Sequence, residues 1–321
     1  MEIVGYFPSM QAITFKPLYM ERIWGGRKLE TIYGRKLPDP TAAFGEAWEI
    51  VDRENEQSVV DSGEFAGKSL HELWTTHREE VFGTDLPDSD RFPILIKILD
   101  SADDLSIQVH PPAEVADELG GDPKTEMWYI ADCDPGAKLY IGLKDGCTRE
   151  SFERSLAEGT VEEQVHAVSP RAGESIFIPS GRLHAIGAGF IIYEIQQNSD
   201  TTYRVFDWNR VGLDGDPRDL HIDESMASID FDDLEPGMDQ PDGDTLASCE
   251  YFFVTRHNIP ESQELTVQND AFSIITVISG QICSEAGTIF KTGDFLILPR
   301  NAEPLIAQTD CQVLRTSLPH K

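Results

Sequence analysis

The 321-residue sequence is short of positive charge: 26 lysines and arginines stand against 57 aspartates and glutamates, a formal net charge of -31 at pH 7. So acidic a surface repels nucleic acid and anionic membrane, so neither is expected as a partner; it is compatible with adaptation to salt. Cysteine is scarce as well. Cys133, Cys147, Cys249, Cys283 and Cys311 are odd in number and include no Cys-x-x-Cys pair, which argues against a disulfide framework and for reduced thiols in a cytoplasmic protein. Long apolar runs are missing: no segment approaches the roughly 18 uninterrupted apolar residues of a membrane span. Met1 to Gln11 also lacks the basic and apolar regions of an export signal. What is present suffices for a core, since 40% of residues are hydrophobic, enough for one large domain or two of ordinary size.

Within this acidic background a few stretches pair chemistry with regular spacing. From Asp104 to His110 apolar and polar residues alternate with the period of a strand, so Ser106, Gln108 and His110 share one face. A polar strand face ordinarily meets water; this one sets a carboxamide beside an imidazole, two possible metal ligands. Gly173 to His184 reads as a strand, a Pro/Gly turn and a histidine opening the next strand. Between the two histidines, Glu126 begins the strand Glu126-Met127-Trp128-Tyr129. Two neutral imidazoles and a carboxylate, with a fourth position for a weak neutral ligand or water, are the set expected of a catalytic zinc site. Iron, manganese and cobalt accept the same donors.

Other residues are candidates by context. Lys97 interrupts the apolar strand Phe92 to Asp100, where its ammonium needs an anion, either an acidic side chain or a substrate phosphate. Glu46 shares a strand face with Trp48 and is placed to reach a pocket. Lys97, Lys124, Arg182, Arg204 and Arg210 cluster near the metal motifs and suggest an anion pocket. The spacing predicts a helix over residues 69–82, a short one over 113–119, another over 148–158 with Thr148 as N-cap, and one over 220–231. Trp24-Gly25-Gly26 reads as a turn. His71 and His77, about 120° apart around a helix, are expected at the surface.

The spacing Gly173, five residues, Pro179, one residue, Gly181, two residues, His184 resembles the second conserved motif of the cupin superfamily, whose histidine is the last metal ligand, delivered by a hairpin into the mouth of a small β-barrel. The usual asparagine four residues on is replaced by Ala188, and residues 111–125 are an insertion between His110 and Glu126. More specifically, Ser106 to Pro111, Lys124-Thr125-Glu126, Pro179 to Ala185 and Gln196 to Arg204 resemble the type I mannose-6-phosphate isomerases in their short bacterial form, from about Phe15 onward. The resemblance implies Gln108, His110, Glu126 and His184 as ligands of one Zn2+ and Arg204 as the active-site arginine. It also matches Ser106 and Lys124 to pocket positions.

The expected reaction is the interconversion of mannose 6-phosphate and fructose 6-phosphate through an enediol(ate), with Arg204 and Lys124 catalytic and Ser106, Lys97, Glu46 and Asp200 binding the sugar phosphate. The base is left open between Lys124, Glu46, Asp200 and a water on the metal; Lys124 would need a lowered pKa to serve. The expected fold is mainly β: two cupin-type jelly-roll barrels with a few short helices, the chain acting as a monomer or homodimer. Residues 1–211 form the catalytic metal-binding domain with helical additions, 212–247 an acidic connector with one helix, and 248–321 a second barrel without a metal site. In that barrel Gly293 to Pro304 echoes Gly173 to His184, with Pro304 in place of the histidine. Two other readings are a non-catalytic bicupin that binds a sugar phosphate or metal, and an iron-dependent cupin oxygenase. Gln108 as a fourth ligand and the basic cluster favour the isomerase.

Overall fold

In a computed structural model, which describes residues 9–267 and 271–319, the chain is mainly β with a few short helices and two compact units. Most of the stretch read for an export signal lies outside the described residues. Among the described residues no helix is long and apolar enough to cross a membrane.

One unit comprises Tyr19–Trp48 and Ile96–Gln240. Its six-stranded sheet runs β10 (Ser175–Ile178), β7 (Glu126–Cys133), β12 (Phe190–Gln197), β5 (Ile94–Ser101), β2 (Leu18–Gly26) and β3 (Phe44–Ile50). A five-stranded sheet runs β13 (Tyr203–Phe206), β6 (Ile107–Val109), β11 (His184–Ile186), β8 (Leu139–Leu143) and β9 (Val165–Val168). Trp24, Leu99, Trp128, Ile178 and Ile192 from the first sheet share a core with Ile141 and Ile186 from the second, so the sheets are stacked face to face. On the far side of the five-stranded sheet, Ile107, Val109 and Val205 pack with Phe152 of α5 (Arg149–Glu158) and with Ile229, which follows α6 (Ile222–Ser228).

That packing decides the fate of the alternating stretch at 104–110. Ile107 and Val109 go to the helices while Leu105 joins the core between the sheets, so the polar face of the stretch turns into that same space, with Ser106 3% and His110 1% exposed. The expected turn at Trp24-Gly25-Gly26 is instead the end of β2. Glycine is required there because the backbones nearly touch: a Cβ on Gly25 would stand 2.4 Å from the nitrogen of Gly45. Two further helices are α1 (Lys28–Thr31) and, in the insertion after His110, α4 (Ala113–Ala116).

The other unit takes the described residues before Tyr19, Glu49–Leu95, and those from Pro241 on. A sheet ordered β14 (Thr245–Ser248), β15 (Phe253–Ile259), β22 (Cys311–Ser317), β17 (Ser273–Ser279), β20 (Phe295–Leu298) stacks on one ordered β16 (Glu264–Leu265), β21 (Leu305–Ala307), β18 (Gln281–Cys283), β19 (Ile289–Lys291). Ile275, Val277, Leu296 and Val313 meet Leu265, Ile282, Leu305 and Phe290 between them. The short β1 (Phe15–Lys16) and β4 (Val59–Val60) pair separately. The expected helix over 69–82 is two, α2 (Leu70–Thr76) and α3 (Arg78–Val81), broken where His77 leaves helical geometry. A capping box of Ser69 and Glu72 starts the first. His71 and His77 pair with Asp52 and Glu80.

Candidate functional site

Strand register assembles the site. Gln108 on β6 stands opposite His184 on β11 and opposite Arg204 on β13, so the three lie in one row across adjacent strands. His110 lies two residues beyond Gln108 on the same face. Its carbonyl accepts a hydrogen bond from the Gly181 N–H at 2.8 Å, which ties the Pro179–Gly181 turn to the strand end. Gly181 has φ +94°, a left-handed conformation that favours glycine. The facing sheet supplies Glu126, first residue of β7, paired with Ile178 and Gln196.

These elements bring His110, Glu126 and His184 together, each 1% exposed, with their candidate ligand atoms all within 4.8 Å of one another. Glu126 Oε2 is 3.6 Å from His110 Nε2, and Oε1 is 3.6 Å from His184 Nε2. His110 Nδ1 donates to the Thr201 carbonyl and His184 Nδ1 to that of Arg182, both at 2.8 Å. Each ring therefore turns an Nε2 lone pair toward the carboxylate, as metal-binding imidazoles held by an outer partner do. His110 Nε2 and both Glu126 oxygens are buried without a hydrogen-bond partner. Acceptors facing one another out of water are costly, and a cation between them removes the cost. The residues thus fit a metal ion. The Gln108 carboxamide reaches the same point, 3.3 Å from His184 Nε2.

Electrostatics agree. Burial holds both histidines well below their usual range, His184 down to about 3, and burial with neighbouring Glu194 pushes Glu126 up. Left to itself each group is driven to its neutral form.

Beside the triad opens a cavity of about 540 Å³ whose wall includes Glu46, Lys97, Ser106, Gln108, Lys124, His184, Asp200 and Arg204. Every predicted site residue but His110 and Glu126 lines it; those two lie behind His184 and Lys124. Lys97, 3% exposed, sits 3.5 Å from Glu194, 3.7 Å from Glu46 and 4.0 Å from Asp200, so its anion is a set of side chains. Glu46 also accepts from Arg22 at 2.8 Å and from the Trp48 ring N–H. Burial opposes its charge, but Lys97 and Arg22 overcome it and hold the carboxyl down to about 2. Lys124 lies 3.4 Å from Glu126. Burial works against its charge, yet Glu126, Glu194 and Asp200 raise its pKa overall, so the lowered value a lysine base requires is not met.

Of the basic cluster, Arg182 is spent on Asp233 and Arg210 on Asp207 and Asp103. Arg204 stays at the cavity, one nitrogen donating to the Asp219 carbonyl and its Nε buried without a partner. Several wall residues escaped the sequence reading, among them Arg22, Glu194 and Arg218. Glu194, 4% exposed and bonded to the Trp128 ring N–H at 3.1 Å, interrupts an apolar strand as Lys97 does, and the same cost argument would have found it. Arg218, held by Asp207, sits in a loop without periodic signal.

Residues 13–138 match the family model described as phosphomannose isomerase type I, catalytic domain. Among curated proteins, the chain is 38% identical over 303 residues to mannose-6-phosphate isomerase ManA of Bacillus subtilis, covering 91% of this chain and 94% of that one. It is 34% identical over 316 residues to the mannose-6-phosphate isomerase of Streptococcus mutans, covering 93% and 97%. Among solved structures, a mannose 6-phosphate isomerase from Bacillus subtilis superposes with a TM-score of 0.86 at 32% identity, over 96% of this chain and all of that one. A putative mannosephosphate isomerase from Archaeoglobus fulgidus, at 19% identity and a TM-score of 0.77 over 98% and 99% of the two chains, shares the fold.

Proposed function

The chain belongs to the type I phosphomannose isomerase family and is a metal-dependent isomerase; we propose that it interconverts mannose 6-phosphate and fructose 6-phosphate at a zinc ion held by His110, Glu126, His184 and Gln108. The observation that carries the reading is the three orphaned acceptors of His110 and Glu126 set directly behind a cavity walled by Lys124 and Arg204. A half-turn of the Gln108 carboxamide presents its oxygen as the neutral fourth donor. Five free cysteines fit a reducing, cytoplasmic setting.

Isomerisation moves a proton between C2 and C1 while negative charge gathers on the carbonyl oxygen in the enediol(ate). Zinc supplies Lewis acidity toward that oxygen when bound. The chain's own residues do the rest. Lys124 and Arg204 are fixed cations at the wall, placed to stabilise the developing charge. We assign the proton transfer to Glu194. Glu46 is tied up by Arg22 and the Trp48 ring N–H, and Asp200 is half-exposed at 48%, whereas Glu194 is buried and aimed by Trp128 and Lys97. Arg204 and Arg218, adjoining along the wall, orient the phosphate, and Ser106 is a hydroxyl donor beside Gln108. Lys97 positions the carboxylates around it.

The test is a coupled assay for fructose 6-phosphate from mannose 6-phosphate. Turnover that disappears with a chelator and returns with zinc is expected; a metal-loaded sample without turnover sinks the reading.

A further inference from the structure

The second pair of sheets repeats the strand order of the first: β20-β17-β22-β15-β14 matches β10-β7-β12-β5-β2, and β16-β21-β18-β19 matches β6-β11-β8-β9. Ladder register carries the match to single residues. Leu298 pairs with Ser273 as Ile178 pairs with Glu126. Arg315 pairs with Ile275, two positions on, as Glu194 pairs with Trp128. Ser273 thus stands at the place of Glu126, Pro304 at that of His184, and Arg315 at that of Glu194. The metal ligands are gone and the carboxylate position carries a guanidinium.

Arg315 is 6% exposed. One of its nitrogens donates to the Thr266 carbonyl at 2.7 Å, while Nε and Nη1 are buried without hydrogen-bond partners. No described acidic side chain pairs with it. On β15, Thr255 lies opposite Arg315, its hydroxyl 2.8 Å from His257 Nε2. Ile275, Val313 and Leu265 belong to the apolar core on this inner face. A guanidinium stays protonated even where burial lowers its pKa, and a buried charge without an opposite charge is among the costliest arrangements in a fold.

We propose that the inner face of the second sandwich at Arg315 is a binding site for a small monovalent carboxylate, with the unmatched guanidinium N–H groups as its donors. One negative charge neutralises the one cation. A phosphate dianion would leave a net charge buried, which separates this site from the sugar-phosphate cavity of the other unit.

Thermal unfolding of the full, metal-loaded chain tests this, with formate titrated at constant ionic strength against a bulky sulfonate. A saturable rise in Tm is expected, about 2 °C at ten times the half-saturating concentration, and Arg315→Met should abolish it. No saturable rise in the wild type, or an equal rise in Arg315→Met, overturns the site. If that variant does not fold, wild-type crystals soaked in bromide decide: an anomalous peak within hydrogen-bond reach of Arg315 supports the site, and none overturns it.

Discussion

The two sandwiches have the same strand order and the same hairpin spacing, but opposite interiors. In one, the inner face near the hairpin carries His110, Lys97, Lys124, Glu126, His184 and Glu194, all buried. In the other it carries Ile275, Leu265 and Leu298 with the single guanidinium of Arg315. The backbone device is therefore independent of the chemistry, and a handful of side chains decide which chemistry a sandwich carries. It follows that changes at those side chains should remove function with little effect on the fold, and changes at the hairpin glycines should do the reverse.

The largest effect is expected from making the first interior resemble the second. His184→Ala should lose metal by elemental analysis and lower turnover by at least roughly 10³-fold, since the Lewis acid goes with the ligand. Full metal content in that variant would remove His184 from the donor set. Arg204→Ala should keep metal and lose about 10²–10³ in kcat, the scale of one charge-stabilising donor. Normal kcat there would end its catalytic assignment. Glu194→Gln should also keep metal and fall by about 10²–10⁴; if instead Glu46→Gln were the more damaging of the two, the proton transfer would belong to Glu46.

A smaller and more diagnostic effect concerns protons. In the metal-free pocket burial raises Glu126 above the ordinary carboxylate value of about 4.3, so it keeps a proton to higher pH and its ionisation costs stability increasingly above that value. The histidines are shifted the other way. They stay neutral below 6.5, His184 to about 3, while the unfolded imidazoles take up protons, so the stability they contribute is lost progressively as pH falls from about 6.5 to those lowered values. Metal binding near neutrality should therefore release about one proton, from Glu126, and affinity should fall about tenfold per pH unit on acidification. Calorimetry in two buffers of different ionisation enthalpy reads this directly. Release of no proton would mean that Glu126 is already ionised in the empty pocket, and release of two or more would implicate the imidazoles.

Much of this was legible in the sequence because the site sits on period-two strands. Once Ser106, Gln108 and His110 share a face, any fold that buries that face concentrates them, and the Gly-to-His spacing fixes where His184 arrives. The candidate metal triad was reached from motif order and family resemblance without tertiary knowledge. What escaped was contributed by packing. The pairing of Lys97 with Glu46, Glu194 and Asp200 depends on three segments distant in sequence. The role of Gly25 depends on a backbone contact with Gly45 that no local pattern announces. What turns the polar strand face inward is also tertiary: Ile107 and Val109 on the other side pack against the helices.

The smallest effect tests the shared backbone. Gly173 and Gly293 open the two hairpins with φ of +91° and +86°. Gly173 N donates to the Ile130 carbonyl at 2.8 Å and Gly293 N to that of Val277 at 2.9 Å, carbonyls at matching positions of the paired strands. The left-handed conformation costs a residue with a Cβ about 1–2 kcal/mol, and a Cβ on Gly173 would meet only the Tyr129 hydroxyl, at 4.0 Å, so backbone strain is its main penalty. Gly173→Ala and Gly293→Ala should each destabilise by about that amount in denaturant unfolding, by similar margins, with kcat nearly unchanged in both. If Gly173→Ala cost turnover at full metal loading while Gly293→Ala cost only stability, the hairpin would be part of the catalytic apparatus, and the separation of backbone from chemistry would fail in the unit where it matters most.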